Sequence, residues 1–217
     1  MIEMSHVSFR YGRGDWVFRD LSLTVERHRC TFLVGRNGSG KTTLGKLMAG
    51  ILKPVSGTVL VDGLDTRQAE LYQIGARVGY LFQEPERQLF APTVWEELTF
   101  VLDLFGIDKK LQEERAELLL KQFHLQKVKH SYTYQLSRGE KQRLALAAVM
   151  INNPAFLILD EPTTGLDPRR REALAEILEE CKAQGIGMVV ISHDRKFTER
   201  LADRIITLGD GGIRDGY

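Results

Sequence analysis

The stretch Gly35–Thr43, GRNGSGKTT, decides how the rest of the chain is read. It fills the phosphate-binding pattern G-x-x-x-x-G-K-[ST], with Gly35, Gly40, Lys41 and Thr42 at the fixed positions. The apolar run Thr31–Val34 precedes it and reads as a buried strand, and Leu44–Ala49 continue it as good helix formers. A strand before and a helix after are the setting that gives this pattern its meaning. Gly35, Gly38 and Gly40 let the backbone wrap closely around an anion, so that consecutive N–H groups and the positive end of the next helix face it. Lys41 is long enough to reach β- and γ-phosphate oxygens, and the Thr42 hydroxyl is a suitable Mg²⁺ ligand. Arg36, Asn37, Ser39 and Thr43 complete the candidate nucleotide contacts. The expected ligand is a nucleoside triphosphate with Mg²⁺.

Working outward, Ile2–Tyr11 alternates apolar and polar residues around Met4, Val7 and Phe9, as a half-buried strand does, and Val17–Val25 repeats the pattern after a turn at Gly12–Asp15. Gly57–Val61 and Val78–Phe82 are further strand candidates. Trp95–Phe105 and Leu111–Leu125 have helical periodicity, and Glu140–Met150 continues as a largely apolar helix ending near Asn153. Three apolar runs follow, FLILD at Phe156–Asp160, MVVIS at Met188–Ser192 and RIITL at Arg204–Leu208, separated by helices over Pro168–Ala183 and Lys196–Leu201. Apolar strands alternating with helices predict a parallel sheet covered on both faces. The fold class expected is α/β, mostly parallel, with an antiparallel β flank near the N-terminus and a helical insertion over about 84–153 in one domain spanning 1–217.

Composition narrows the partners. Hydrophobic residues make up 43% of the 217, charged residues 27%, and the net charge is +1, which gives no global drive toward nucleic acid or anionic lipid. Cys30 and Cys181 have no metal-ligand spacing and no partner framework, so a reducing compartment is expected and Cys30 reads as a small core residue. The opening MIEMSHVSFRYG lacks the apolar core of a signal peptide, and no apolar run approaches the ~18 residues of a membrane span. Any membrane role is expected to be peripheral.

Asp160 and Glu161 end a buried strand, and in a parallel sheet the carboxyl edge is where ligands bind. Asp160 is placed to hold Mg²⁺, and Glu161 to polarise an attacking water. Leu136–Arg143, LSRGEKQR, opens the next helix upstream; Ser137 with Glu140 three positions later is explained structurally by a capping box. The phosphate loop, LSRGE, FLILDEP, TGLDP at Thr164–Pro168 and His193 after MVVIS occur in one order. That order resembles, over nearly the whole chain, the ATPase subunits of ABC transporters, which are P-loop NTPases.

The resemblance implies roles for these positions. Tyr11 matches the aromatic that stacks on adenine, Gln83 the glutamine that contacts Mg²⁺ and senses the transmembrane partner, and Glu161 the catalytic carboxylate. Asp167 matches the residue lining the subunit interface, and His193 the histidine contacting the γ-phosphate. Ser137 and Gly139 match the signature that contacts ATP held by the opposite subunit. There is a physical reason to expect a partner: this second anion-binding helix start has only one phosphate loop to serve in the same chain. A head-to-tail dimer of identical or homologous ATPase subunits supplies each ATP with a loop from one chain and a signature from the other. The usual LSGGQ appears here as LSRGE; Arg138 either adds positive charge near the γ-phosphate or points to solvent, the latter being favoured, and Glu140 suits a first helical turn. His28-Arg29 replaces the usual Gly-Glu before the loop strand and is expected to affect only a turn.

QEPERQLF at Gln83–Phe90 and TVWEELTF at Thr93–Phe100 look most like energy-coupling-factor transporter ATPases, which drive uptake of vitamins and transition metals through membrane components. Gln83, Glu84, Pro85, Arg87 and Gln88 are the candidates for coupling. The chain ends at Gly216-Tyr217, without the additional C-terminal region of many members of that branch, which weakens the branch assignment and leaves the resting oligomeric state open. The resemblance implies import, transmembrane transporter partners, no nucleic acid, and a place on the cytoplasmic face of the cell membrane. Competing readings are an ATPase of another ABC transporter class, a soluble ABC ATPase acting on DNA or ribosomes, and a small-molecule kinase or GTPase. The chain has neither long coiled coils nor tandem motors nor a basic stripe, and a guanine-reading NKxD motif is absent.

Overall fold

A computed structural model describes residues 1–209 and 212–216. The N-terminal strands β1 (Ile2–Arg10) and β2 (Trp16–Val25) form an antiparallel hairpin, with Ile2 opposite Val25 and Arg10 opposite Trp16. Met4 and Val7 both face inward although three residues apart. The strand is irregular between them, with His6 at φ 52°, and the irregularity restores the apolar face after an extra residue. Strand β3 (Cys30–Gly35) leads through the phosphate loop into helix α1 (Lys41–Met48). Then come β4 (Ser56–Val61), the short β5 (Leu64–Asp65), helix α2 (Leu71–Gly75) and β6 (Val78–Leu81).

The expected helical insertion is present as α3 (Val94–Leu104), α4 (Lys109–Gln122) and α5 (Arg138–Met150). Thr93 and Ser137 start α3 and α5 with capping boxes closed by Glu96 and Glu140, as the second was read to do. Helix α4 begins earlier than expected because the Asp108 side chain caps it, accepting from the N–H groups of Lys110 and Leu111. It also ends earlier, before Phe123, because His124 turns into the left-handed region at φ 53°. Helix α5 ends at Met150, the bound read for Glu140–Met150, shortly before Asn153 turns into the left-handed region at φ 51°. The alternation then closes with β7 (Phe156–Asp160), α6 (Pro168–Ala183), β8 (Gly187–Ile191), α7 (Arg195–Leu201), β9 (Arg204–Gly209) and β10 (Gly212–Gly216).

Two sheets result. One is four-stranded and antiparallel, in the order β2-β1-β4-β5; the other is six-stranded, in the order β10-β9-β3-β8-β7-β6, and parallel except for β10. Successive strand residues point to opposite faces, so Leu33, Phe156 and Ile158 join α1 and the antiparallel sheet in one core, while Phe32, Leu157 and Leu159 join α3–α6 in another. Leu44, Leu47 and Met48 of α1 are fully buried between the sheets, each contributing about 1.5–3 kcal/mol relative to exposure. Cys30 and Cys181 are both buried free thiols, and burial pushes each up to about 12, as suits inert core residues. His28, at φ 64°, lies in the β2–β3 turn, as expected. Because β3, β6, β7 and β8 are parallel, their carboxyl ends lie along one edge. That edge carries the candidate site.

Candidate active site

The phosphate loop needs its first glycine at a fixed place. Gly35 has φ 148°, and a Cβ there would run into the backbone carbonyl of Leu208 on β9. Lys41 is almost wholly buried, and its ammonium donates to the carbonyls of Gly35 and Arg36, both at 2.9 Å. The loop is thus held closed on its own lysine. The Ser39 hydroxyl is buried with no hydrogen-bond partner among the described residues, as expected of a polar atom awaiting a ligand.

A cleft of about 470 Å³ is lined by Tyr11, Val17, the loop residues Asn37, Gly38, Gly40, Lys41, Thr42 and Thr43, and by Gln83, Asp160, Glu161 and Ile191. Most of the phosphate-loop and strand-end candidates therefore meet in one place. Tyr11 arches over the loop, its phenol hydroxyl 3.0 Å from the Thr43 hydroxyl and its ring edge-on to Phe9 at 4.9 Å. The Thr42 hydroxyl donates to Asp160 Oδ1 at 3.2 Å, and the Tyr80 hydroxyl donates to Asp160 Oδ2 at 3.2 Å. Burial raises the Asp160 carboxyl above its ordinary range, partly offset by these two hydroxyls.

Glu161 follows with φ 52°, a left-handed conformation that a glutamate adopts at a cost of roughly 1–3 kcal/mol. Its N–H donates to Ile191 of β8 at 2.9 Å, which anchors the strained residue. His193 Nδ1 lies 2.9 Å from Glu161 Oε2, an ion pair when the imidazole is protonated, while this buried oxygen accepts no hydrogen bond among the described residues. The arrangement offers a cation and a nest of N–H groups for phosphates, and beyond them an unsatisfied carboxylate able to accept a proton. Among the described residues no cluster of His, Cys, Asp and Glu forms a metal cage. The hydroxyl of Thr42, the amide of Gln83 and the carboxylate of Asp160 nevertheless bring hard oxygen donors to the lining of one cleft, a donor set that fits Mg²⁺.

Ser137 and Gly139 lie elsewhere. They line a second cleft, of about 510 Å³, between α5 and α6, together with Asp167 and Arg170, and share no lining residue with the phosphate-loop cleft. Asp167 caps α6 by accepting from the Arg170 N–H at 2.9 Å. Arg138 is exposed, as expected, but it also makes a contact that the sequence does not show. Its guanidinium lies across Gly165, where a Cβ would sit 2.5 Å from Cζ, and donates to the Thr164 carbonyl at 3.4 Å. Gly165, at φ 74°, is the residue that leaves room for it.

The coupling candidates are also less free than an exposed loop suggests. Pro85–Arg87 form a single 3-10 turn, Glu84 pairs with Arg87, and Gln88 bridges the end of β6, donating to the Tyr80 carbonyl at 3.1 Å and accepting from the Phe82 N–H at 3.2 Å. Sequence reasoning missed Tyr80 and Glu97. Glu97 is buried, its carboxylate accepts from the N–H groups of Phe90 and Ala91 at 3.0 and 2.7 Å, and burial raises its pKa. It also missed that Arg171 donates to the Leu166 carbonyl and to Asp194, tying TGLDP to the SHD turn.

Comparison with known proteins identifies the family. A family profile described as ABC transporter matches residues 18–164. The energy-coupling factor transporter ATP-binding protein EcfA of Methanothermobacter thermautotrophicus is 37% identical over 215 residues, covering 98% of this chain and 69% of that one. The structure of CbiO1 from Clostridium perfringens, part of an ABC transporter complex named cbiONQ, superposes with a TM-score of 0.90 at 29% identity, covering 99% of this chain and 87% of that one. The ATP-binding cassette MJ0796, solved as a dimer bound to ADP and Pi, gives a TM-score of 0.86 at 26% identity, covering 100% of this chain and 98% of that one. The chain belongs to the ABC transporter family as an ATP-hydrolysing subunit, and within it is most like the energy-coupling-factor type.

Proposed function

We propose that this chain is the motor of an energy-coupling-factor importer of a vitamin or transition-metal ion, and that ATP closes a head-to-tail dimer which hydrolysis reopens. The observation that carries the reading is the division of the nucleotide-binding parts into two clefts, with Lys41, Thr42, Asp160 and Glu161 in one and Ser137 and Gly139 in the other. A chain with half of each site on separate surfaces needs a second chain to complete either. The existence of a dimeric cassette of the same fold supports that arrangement.

In this account Tyr11 stacks on adenine, and the N–H groups of Gly35–Thr43 with the Lys41 ammonium hold the β- and γ-phosphates. Lys41 leaves the carbonyls of Gly35 and Arg36 when phosphate oxygens replace them. Thr42, Asp160 and Gln83 would hold Mg²⁺, which would neutralise charge on the phosphate oxygens when bound. Glu161 accepts the proton of the attacking water as the bond between γ-phosphorus and the bridging oxygen breaks and ADP leaves. His193 contacts the γ-phosphate and, beside Glu161, orients the reacting groups. Ser137 and Gly139 meet the γ-phosphate of the ATP held by the partner, a contribution in trans of the kind that arginine fingers make. We read 1–217 as one ATP-binding domain whose insertion at about 84–153 carries the signature.

The transmembrane partner is proposed to dock beside Gln83–Gln88. Phe82, Phe90 and Phe100 are exposed there, and the rings of Phe90 and Phe100 meet edge to face at 4.7 Å. Grouped exposed aromatics of this kind favour a protein partner. No helix among the described residues is long and apolar enough to cross a membrane; attachment at the cytoplasmic face of the membrane is proposed to come from that docking. The test is extraction of the chain with its complex from membranes of its source, followed by identification of the co-purifying proteins. Multi-spanning membrane proteins in stoichiometric amount are expected; a chain recovered entirely free of them from intact membranes contradicts the transport reading.

A further inference from the structure

We propose that Tyr80 is a positioning residue for the magnesium-holding carboxylate, setting the affinity of the site for the metal through a single hydroxyl. The inference rests on the reading of Asp160 as a Mg²⁺ holder. Asp160 is 3% exposed, and its two oxygens are fixed separately, Oδ1 by the Thr42 hydroxyl and Oδ2 by the Tyr80 hydroxyl, each at 3.2 Å. A carboxylate gripped at both oxygens cannot swing about its last torsion. With one grip removed, the group regains that freedom and presents its lone pairs to the metal only part of the time. Partners that orient a metal ligand in this way typically change metal affinity 10–100-fold when removed.

Tyr80 is itself held in place. It lies on β6, paired with Ile158 two residues before Asp160 on the neighbouring strand. Its ring lies over Gly45 of α1, where an added Cβ would sit 3.5 Å from the ring, and against Phe82 at 4.9 Å between centroids. Its carbonyl accepts from Gln88 at 3.1 Å. The phenol is 7% exposed, so its hydroxyl has no ready substitute partner in water. The residue thus spans the helix of the phosphate loop, the strand that feeds the coupling segment, and the acidic strand end. The bland alternative is that Asp160 merely satisfies a buried phenol.

Tyr80→Phe removes the hydroxyl and keeps the ring. Binding of a fluorescent ATP analogue is measured in excess EDTA and then across a Mg²⁺ titration, with wild type and Asp160→Asn alongside. In Tyr80→Phe, affinity in EDTA should stay within about twofold of wild type, because the phosphate loop is untouched. The Mg²⁺ concentration for half-maximal tightening should rise about tenfold. In the Asp160→Asn background the same substitution should move nothing further. Tyr80→Met, which fills the space with an adaptable side chain, should show the same loss of magnesium response if Tyr80→Phe folds poorly. An unchanged Mg²⁺ midpoint in either folded variant overturns the inference while leaving Asp160 in its role. A wild-type midpoint in Asp160→Asn alone would instead overturn the Asp160 reading, and the inference with it.

Discussion

Replacing Glu161 with Gln separates binding from chemistry in this site. The substitution keeps shape and volume and exchanges one oxygen for an amide. Glu161 Oε2 has no hydrogen-bond donor among the described residues, so no folded-state hydrogen bond to that atom is lost. The side chain is 13% exposed and its neighbour His193, 2.9 Å away, is exposed, so the small loss of that pair against the relief of a mostly buried charge should leave stability within about 1 kcal/mol of wild type. The phosphate loop and Tyr11 are untouched, so the affinity for ATP should stay within a few-fold. Turnover should not. An amide cannot take the proton of the attacking water, and general-base catalysis contributes about 10²–10⁴ in rate, equivalent to roughly 2.7–5.5 kcal/mol in the barrier. Phosphate release measured at saturating ATP, together with equilibrium ATP binding and a thermal melt, reads all three quantities. Turnover within threefold of wild type, with binding intact, would refute the assignment of Glu161 as the base.

Other outcomes follow from the same geometry. Lys41→Ala should weaken ATP binding by at least about tenfold, since it removes a charge-assisted donor worth roughly 1.5–3 kcal/mol; equilibrium titration giving an unchanged affinity would end the phosphate-loop reading. The hydrogen bond from Ser137 lowers the Glu140 carboxyl pKa, so its contribution to the α5 cap is fully present above the ordinary glutamate value of about 4.3 and is lost as pH falls through the lowered folded value. Glu140→Gln should flatten that acid limb in urea melts taken across pH, and an unchanged limb would contradict the cap as its source.

The layout of the fold was legible wherever local chemistry and pattern agreed. Pro168–Ala183 was read with its observed bounds because Asp167 supplies an N-cap and Pro168 suits a first helical position. The strands FLILD and RIITL were legible as apolar runs bounded by turns and helices. Helix α2 was missed because it is five residues long and capped by Glu70 with Gln73, a pair outside the usual cap residues. Strands β5 and β10 were missed because two residues, or a glycine-bounded run, carry no period to detect.

The site divides along the same line. The phosphate loop, Asp160, Glu161 and His193 are visible in sequence because each sits within a short motif at a strand end. Tyr80 and Glu97 are not, because what they do depends on where the fold sets them. Tyr80 meets Asp160 across 80 positions of chain, and Glu97 closes a turn begun at Phe90. Arg138 is exposed as read, but its contact stayed hidden for a related reason. A long polar side chain on a helix start reads as solvated, and only the fold reveals that Gly165 offers it a bare backbone to lie on.

The central claim is that hydrolysis needs the phosphate loop of one chain and the Ser137–Gly139 helix start of another. Mixing tests it most directly. Lys41→Ala and Ser137→Arg are each expected to be inactive alone, since every composite site in either homodimer lacks one half. Mixed in equal amounts, they should recover on the order of a quarter of wild-type turnover per chain, because random pairing in a two-fold dimer makes half the dimers mixed, each with one complete site. Wild-type turnover per chain should also rise with protein concentration as ATP draws chains into dimers. No recovery on mixing, with turnover independent of concentration in a sample shown by sedimentation to be monomeric, would contradict the claim.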